Sequence, residues 1–279
     1  MFLFAYHAAR SLTSERLRSR LPLTPGDAKL LAENADAFAP LAAAFAPYLE
    51  AHPLFDDRMQ AMQQALIDPS RAFPDPAMLN ALEGFEPTYQ RVFAPAHRTQ
   101  TARFRERVEN QIALHGPAMS SALGKRLERN WRSEPMRLFI VPYATWIGAY
   151  TSQESTVMGA NVEDFWNHTL EMVYHEAAHT DPMTEGLKHA ANAAQAPHGE
   201  SGGRFWHYLQ FYAVGRAAQE VLGAEYVPYH RAIGLSTRED TRPFYDAIDA
   251  VWDQYERLDS RAAAAVEIII ARMGRPSEG

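Results

Sequence analysis

The chain has 279 residues, of which 47% are hydrophobic, and it carries a formal net charge of −7. This length and apolar content are enough for a sizeable folded core, which excludes a disordered tail. Acidic and basic residues are interleaved, without the long basic stripe of a nucleic-acid-binding protein, so no nucleic-acid partner is expected. The chain contains no cysteine, so thiol catalysis, disulfides and thiolate ligands are excluded and any metal must be bound by histidine and carboxylate.

The first seven residues, Met1 to His7, are apolar, but no basic segment precedes them and the run ends at a histidine. They are therefore predicted to belong to the fold and not to a signal peptide. No stretch approaches the roughly 20 apolar residues that a membrane-spanning helix needs, so no membrane partner is expected. A cytoplasmic location is expected on this basis, while a periplasmic or secreted one stays open.

Residues 1–135 are predicted to form a helical N-terminal region, because Ala, Leu, Glu and Arg are frequent and β-branched runs are scarce. Proline-containing breaks, Gly116-Pro117 among them, separate the predicted helices. These helices are Asp27–Phe38, Leu41–Glu50, Phe55–Ile67, Pro76–Leu82 and His97–His115.

The character of the sequence changes at Met136, where a second region, residues 136–279, begins. Three extended segments rich in aromatic and β-branched residues predict a small antiparallel sheet: Arg137–Val141, Tyr143–Tyr150 and Ser155–Ala160. Farther along, apolar periodicity predicts a buried helix from Phe205 to Leu222 and an amphipathic helix around Glu267. The fold class is therefore predicted to be α+β, mainly α with a small antiparallel β-sheet.

Residues 175 to 179 are His-Glu-Ala-Ala-His, the pattern H-E-x-x-H. On a helix, positions i and i+4 share one face, so the imidazoles of His175 and His179 can reach one ion while Glu176 points to the same side. Neutral imidazole suits Zn²⁺, and a metal-bound water could then lose its proton to Glu176 as general base. The three fixed letters arise by chance in roughly three chains in a hundred of this composition, but the apolar flanks favour a buried helix.

A third metal ligand is needed, and the sequence offers three candidates. His207 stands first, because it lies in the aromatic helix after the motif, where an unpaired imidazole would be costly to bury. A core histidine bonded to a backbone carbonyl is its competing interpretation. Glu220 on the same helix and Glu200 in the preceding Gly-rich loop are the alternatives.

With His175-Glu176-Ala177-Ala178-His179 after a strand pair and before a second aromatic helix, the chain resembles the zincin metallopeptidases, and within them the gluzincin-like branch. The resemblance covers residues 136 to 235 and implies a zincin-like catalytic core that binds Zn²⁺ and hydrolyses a peptide or amide bond. It also implies that the strand before the motif helix, here Val157–Asn161, pairs with an extended peptide substrate. The chain departs from the family in lacking a Glu at the commonest gluzincin spacing and the third His of metzincins.

In such enzymes a downstream Tyr or His often stabilises the oxyanion, and Tyr229 is the matching candidate here, with ordinary packing as its alternative. Asp181 could orient a ligand imidazole from just after the motif. Three aromatic residues, Tyr143, Trp146 and Tyr150, could line a substrate groove or belong to the core.

Two other classes of protein stay open at this point. In a catalytically silent, metal-stabilised binding module, the sheet and its aromatic residues would bind a partner. An intact Glu176 speaks against that hypothesis, since a structural metal site needs no general base. In a helical interaction protein with a chance motif, the purified protein would carry no metal.

Overall fold

The computed structural model describes residues 1–13, 23–128, 131, 135–145, 148–152, 155–180, 183–198 and 204–273. Helices dominate this part of the chain, as the composition predicted. The helices before the sheet are α1 (Phe2–Thr13), α2 (Pro25–Glu33), α3 (Ala35–Phe45), α4 (Asp57–Ile67), α5 (Pro76–Val92) and α6 (Ala94–Arg126). The strands are β1 (Arg137–Val141), β2 (Ala149–Thr151) and β3 (Ser155–Gly159). The helices after the sheet are α7 (Glu163–Asn167), α8 (Thr169–Ala177), α9 (Met183–Gln195), α10 (Phe205–Leu222), α11 (Tyr229–Ala232), α12 (Arg242–Trp252) and α13 (Leu258–Met273). Short 3₁₀ turns cover Ala46–Tyr48 and Ala196–His198.

The chain divides into two compact units that are interleaved in sequence. The first unit comprises Met1–Glu106 and Arg137–Glu163, and the second comprises Arg107–Met136 and Asp164–Gly279. This division differs from the predicted regions, residues 1–135 and 136–279, because the strand-bearing segment belongs with the N-terminal helices. Helix α6 contributes its first part to the first unit and the remainder to the second.

The sheet lies in the first unit and is mixed, with the strand order β1-β3-β2. Strands β2 and β3 pair antiparallel, as predicted, but β1 pairs parallel to β3, so the prediction of an antiparallel sheet was wrong for that pair. Residue patterns within a strand do not encode its direction, which depends on how the connecting segment runs. Of the described residues of the predicted strand Tyr143–Tyr150, Ala149 and Tyr150 join the sheet, and the observed strand continues to Thr151.

The core of the first unit combines the N-terminal helices with residues of the strand-bearing segment. Its large buried side chains include Phe4, Tyr6, Phe38, Phe45, Phe85, Phe93, Tyr143, Tyr150 and Val157. Helix α1 is buried along most of its length, which confirms that the apolar N-terminal segment belongs to the fold.

A buried polar network ties the start of α2 to this core. Asp27 accepts hydrogen bonds from the hydroxyls of Tyr143 and Thr24 and contacts His97 Nε2 at 3.2 Å. The other ring nitrogen of His97, Nδ1, lies 3.1 Å from the hydroxyl of Tyr89. Burial alone would raise the pKa of Asp27, but the hydrogen bonds from His97, Tyr143 and Thr24 outweigh it and hold this pKa below its usual 3.8.

We expect Asp27→Asn to lower the free energy of unfolding by about 1.5–3 kcal/mol at neutral pH, since it removes hydrogen bonds to a charged acceptor. A carboxyl whose folded-state pKa is depressed stabilises the fold above its unfolded pKa. The difference between the proteins should therefore shrink as the pH falls from 3.8 through the lower folded-state value. Chemical denaturation across this range tests it, with the exposed Asp36→Asn as control. Equal stability of wild type and Asp27→Asn at neutral pH would contradict the prediction.

Helix α6 departs from the predicted break at Gly116-Pro117, through which it continues to Arg126. Proline in a helix interior loses one backbone hydrogen bond, and packing in the second unit offsets that cost. Helix α10, by contrast, begins and ends at the predicted residues, Phe205 and Leu222. The predicted C-terminal helix around Glu267 is also present, as α13. None of the helices in the described ranges is long and apolar enough to cross a membrane.

Candidate metal centre

Helix α8 carries the first three residues of the His-Glu-Ala-Ala-His motif in the second unit, and every residue of the helix is buried. Tyr174 connects α8 to α6. Its hydroxyl donates a hydrogen bond to the carbonyl of Gly116 at 2.8 Å and lies 3.1 Å from Ser120 Oγ. A Cβ on residue 116 would lie only 3.3 Å from that hydroxyl. Glycine at this position therefore allows the motif helix to pack closely on α6.

The motif helix ends inside the motif, at Ala177, and His179 lies in the turn that follows. The N–H of His179 bonds to the carbonyl of Glu176 at 3.1 Å, and the N–H of Thr180 bonds to that of Ala177 at 3.3 Å. These are bonds across three residues, which tighten the last turn of a helix. The expectation that both histidines lie within the helix is thus wrong for His179, although the two side chains still face each other.

His207, in the first turns of α10, completes a group of three histidines. The Nε2 atom of His175 lies 3.2 Å from that of His179 and 3.4 Å from that of His207. One ligand atom from each residue lies within 4.8 Å of the others, so the three side chains could hold a metal ion. When nitrogens bind one zinc ion tetrahedrally at about 2.0–2.1 Å, they lie about 3.3 Å apart. The two distances from His175 Nε2 match that geometry.

The environment keeps these imidazoles neutral, which is the form that binds metals. The pKa of His175 lies well below its usual 6.5, because the ring is buried and because His179, His207 and His230 are nearby. Burial, with His207 and Lys188, lowers the pKa of His179 to about 3. For His207, burial and a nearby arginine lower the pKa to about 4.

Aromatic side chains pack around the three histidines. The ring of Phe211 stacks on that of His175 at 3.8 Å between centroids, and Trp206 meets His179 edge to face at 5.7 Å. Tyr229 in turn stacks on Phe211 at 6.3 Å. The histidine rings are therefore confined by apolar surfaces, which limits their movement and the access of water.

Of the other two candidate ligands, Glu220 is kept apart from the histidines. It is half exposed and forms an ion pair with Arg126 at 2.6 Å. Glu200 lies outside the described residues. The structure thus brings His207, and not Glu220, to the motif histidines.

The two candidate catalytic side chains are both buried in the second unit. Glu176 is 5% exposed and lies in the last turn of α8. Tyr229 is 8% exposed and begins α11. Burial raises the pKa of Tyr229, with further contributions from Asp164, Glu171 and Glu176. Its hydroxyl therefore stays protonated at neutral pH and can donate a hydrogen bond.

Glu171, one turn before His175, is a buried carboxylate that sequence reasoning missed. Its Oε2 accepts hydrogen bonds from the hydroxyl of Tyr226 and from the backbone N–H of Tyr229, both at 2.8 Å. Burial raises the pKa of Glu171 to about 7, although these two bonds oppose the rise. Gly215 leaves room for it, since a Cβ there would lie 3.1 Å from Glu171 Oε1. The spacing of residues 171, 175 and 179 by four was the signal that could have revealed it.

Gln210 is a second missed residue, one turn after His207 on α10. It is completely buried, and its Nε2 donates to the backbone carbonyl of His175 at 2.8 Å. Among the described residues, neither Gln210 Oε1 nor His175 Nδ1 has a hydrogen-bond partner. The sequence signal that could have revealed Gln210 is its position as a polar residue on the predicted buried face of an apolar helix.

The predicted substrate strand is the central strand of the sheet. Residues 155–159 pair with β1 on one side, and residues 156–158 also pair with β2 on the other. The N–H groups of Ala160 and Asn161 bond to the carbonyls of Val141 and Pro142. A strand paired on both sides has no backbone groups left for a peptide, so the expectation for Val157–Asn161 is wrong.

The predicted groove aromatics are packing residues where they are described. The hydroxyl of Tyr143 donates to Asp27, and that of Tyr150 donates to Gln63, both inside the first unit. Trp146 lies outside the described residues, as does Asp181, the candidate partner of a ligand imidazole.

Comparison of the chain with family models, with curated proteins and with solved structures finds no match.

Proposed function

We propose that the chain is a zinc-dependent hydrolase of the zincin type that cleaves a peptide or peptide-like amide bond. The observation that carries the proposal is the convergence of three neutral imidazoles, one buried and two partly buried, two of them from an H-E-x-x-H sequence. In this proposal the second unit is the zincin-like core, with α8 and the turn after it supplying two ligands and α10 the third.

Zinc fits the donor set best. Three imidazole nitrogens with no thiolate are a combination found in catalytic zinc sites, where a fourth position is kept for water or substrate. A bound zinc ion would supply Lewis acidity, which polarises a carbonyl oxygen and lowers the pKa of water. Because the rings are already neutral, the protein does not have to release protons from them when a cation binds.

Glu176 is the proposed general base. It is adjacent in sequence to the ligand His175, and its carboxylate is not part of the proposed set of metal ligands. A carboxylate in a nearly dry site can accept a proton from water and return it to the leaving amine. Tyr229 is the proposed donor to the developing oxyanion, since its hydroxyl stays protonated and its ring stacks on Phe211, which itself covers His175.

We expect purified protein to contain close to one zinc ion per chain, measured by elemental analysis after extensive dialysis. His175→Ala should remove the metal, whereas the exposed His189→Ala serves as the matched control and should not. Substoichiometric zinc after reconstitution, unchanged by His175→Ala, would overturn the metal site.

The hydrolase activity itself is tested on a pool of peptides of varied sequence, with cleavage detected by mass spectrometry. Cleavage that a chelator abolishes and added zinc restores is the expected result. Stoichiometric zinc without cleavage of any substrate would instead favour the metal-stabilised binding module.

A further inference from the structure

At the end of helix α8, the backbone carbonyl of His175 lacks its usual helical partner. In a continuous α-helix, the carbonyl of His175 would accept a hydrogen bond from the N–H of His179. Here that N–H bonds to the carbonyl of Glu176 instead, as the chain turns out of the helix. The released carbonyl of His175 accepts its hydrogen bond from Gln210 Nε2 at 2.8 Å.

This hydrogen bond lies where the backbone changes from the helix that holds His175 to the turn that holds His179. It satisfies the carbonyl of one ligand, His175, and thereby stabilises the turn that carries the other, His179. A buried carbonyl without a partner would be costly, so the helix could otherwise end at this residue only at a penalty.

The same side chain also fixes the third ligand. Gln210 and His207 lie three residues apart on α10, so they share the helix face that meets α8. A hydrogen bond from this face to His175 therefore sets the separation of the two helices, and with it the 3.4 Å between the Nε2 atoms of His175 and His207.

We infer that Gln210 is a positioning residue of the metal centre. It holds the end of α8 in the turn that brings His179 to His175, and it holds α10 at the distance from which His207 reaches the same point. The inference rests on the proposed metal site, and it assigns Gln210 no contact with metal or substrate.

Gln210→Met tests this role, because methionine is close in volume and flexible but cannot donate. Zinc affinity, measured by competition with a chromophoric chelator, is expected to fall about 10- to 100-fold, the usual cost of losing an outer partner of a ligand. The visible absorption bands of the Co²⁺-loaded protein report ligand geometry directly and are expected to shift or weaken. Should this variant not fold, Gln210→Leu gives the same comparison, since leucine cannot donate a hydrogen bond and adds no charge.

Tyr212→Phe is the matched control on the same helix. It removes the hydrogen bond that the hydroxyl of Tyr212, another buried side chain, donates to Asp249, and the ring of Tyr212 packs against His230 and Trp252. Its zinc affinity and cobalt spectrum should equal those of wild type. Unchanged affinity and spectrum in folded Gln210→Met would overturn the role of Gln210 and leave the metal site intact, whereas no metal binding by wild type would overturn both.

Discussion

Replacing Glu176 with Gln is expected to leave the zinc content unchanged and to lower the rate of peptide hydrolysis by about 10²- to 10⁴-fold. Glutamine has nearly the same shape, but a neutral amide cannot accept a proton from water. Zinc should stay bound, because the three converging imidazoles belong to His175, His179 and His207. Elemental analysis and cleavage rates measured on the same preparation separate the two effects.

Glu185→Gln is a suitable control for this experiment. Glu185 lies in α9 of the same unit, but it is exposed and its carboxylate pairs with Lys188 at 3.2 Å. That variant should cleave peptides at the wild-type rate. Equal cleavage by fully metallated Glu176→Gln and wild type would eliminate Glu176 as the general base, even if the metal site itself is correct.

His207→Ala is expected to weaken zinc binding by roughly two to four orders of magnitude. Structural zinc sites bind with about 10–16 kcal/mol, so one ligand among the three or four accounts for about 3–5 kcal/mol of binding. Competition with a chelator of known affinity measures the change. The fold should persist in this variant, because His207 is only partly buried.

Glu220→Ala provides the comparison, because Glu220 lies on the same helix and was the rival candidate ligand. Its carboxylate pairs with Arg126, so its loss should leave zinc affinity within error of wild type. If Glu220→Ala lost the metal and His207→Ala retained it, the third ligand would have to be reassigned.

The part of the site that could be predicted is the part encoded in short-range spacing. His175 and His179 are four residues apart, and His207 was selected because an imidazole among aromatic residues needs a partner. Gln210 and Glu171 were missed because their roles depend on which atoms of other helices they meet. The sequence does not show that His175 loses its helical hydrogen bond, and only that loss gives Gln210 its role.

The prediction of the fold was likewise limited to features that depend on local sequence. Helix α10 was predicted to its ends, since its apolar stripe and terminal Gly223 are local signals. The parallel pairing of β1 with β3 was missed, because strand direction follows from the path of the chain between them. Proline at residue 117 was expected to end α6, but tertiary packing against Tyr174 outweighs local preference there.

The interleaving of the two units constrains how the protein can fold during its synthesis. The core of the first unit needs Tyr143, Tyr150 and Val157, which leave the ribosome only after residues 107–136 have been made. Until these residues have been synthesised, part of the apolar surface of the N-terminal helices stays exposed, and such a state is prone to aggregation. Cutting the chain at residue 135, by proteolysis or by expressing the two parts separately, would remove the sheet from the first unit. It would also remove residues 107–126 of α6 from the second unit. A minimal fragment that carries the three histidines would have to begin near Arg107 and replace residues 137–163 with a linker.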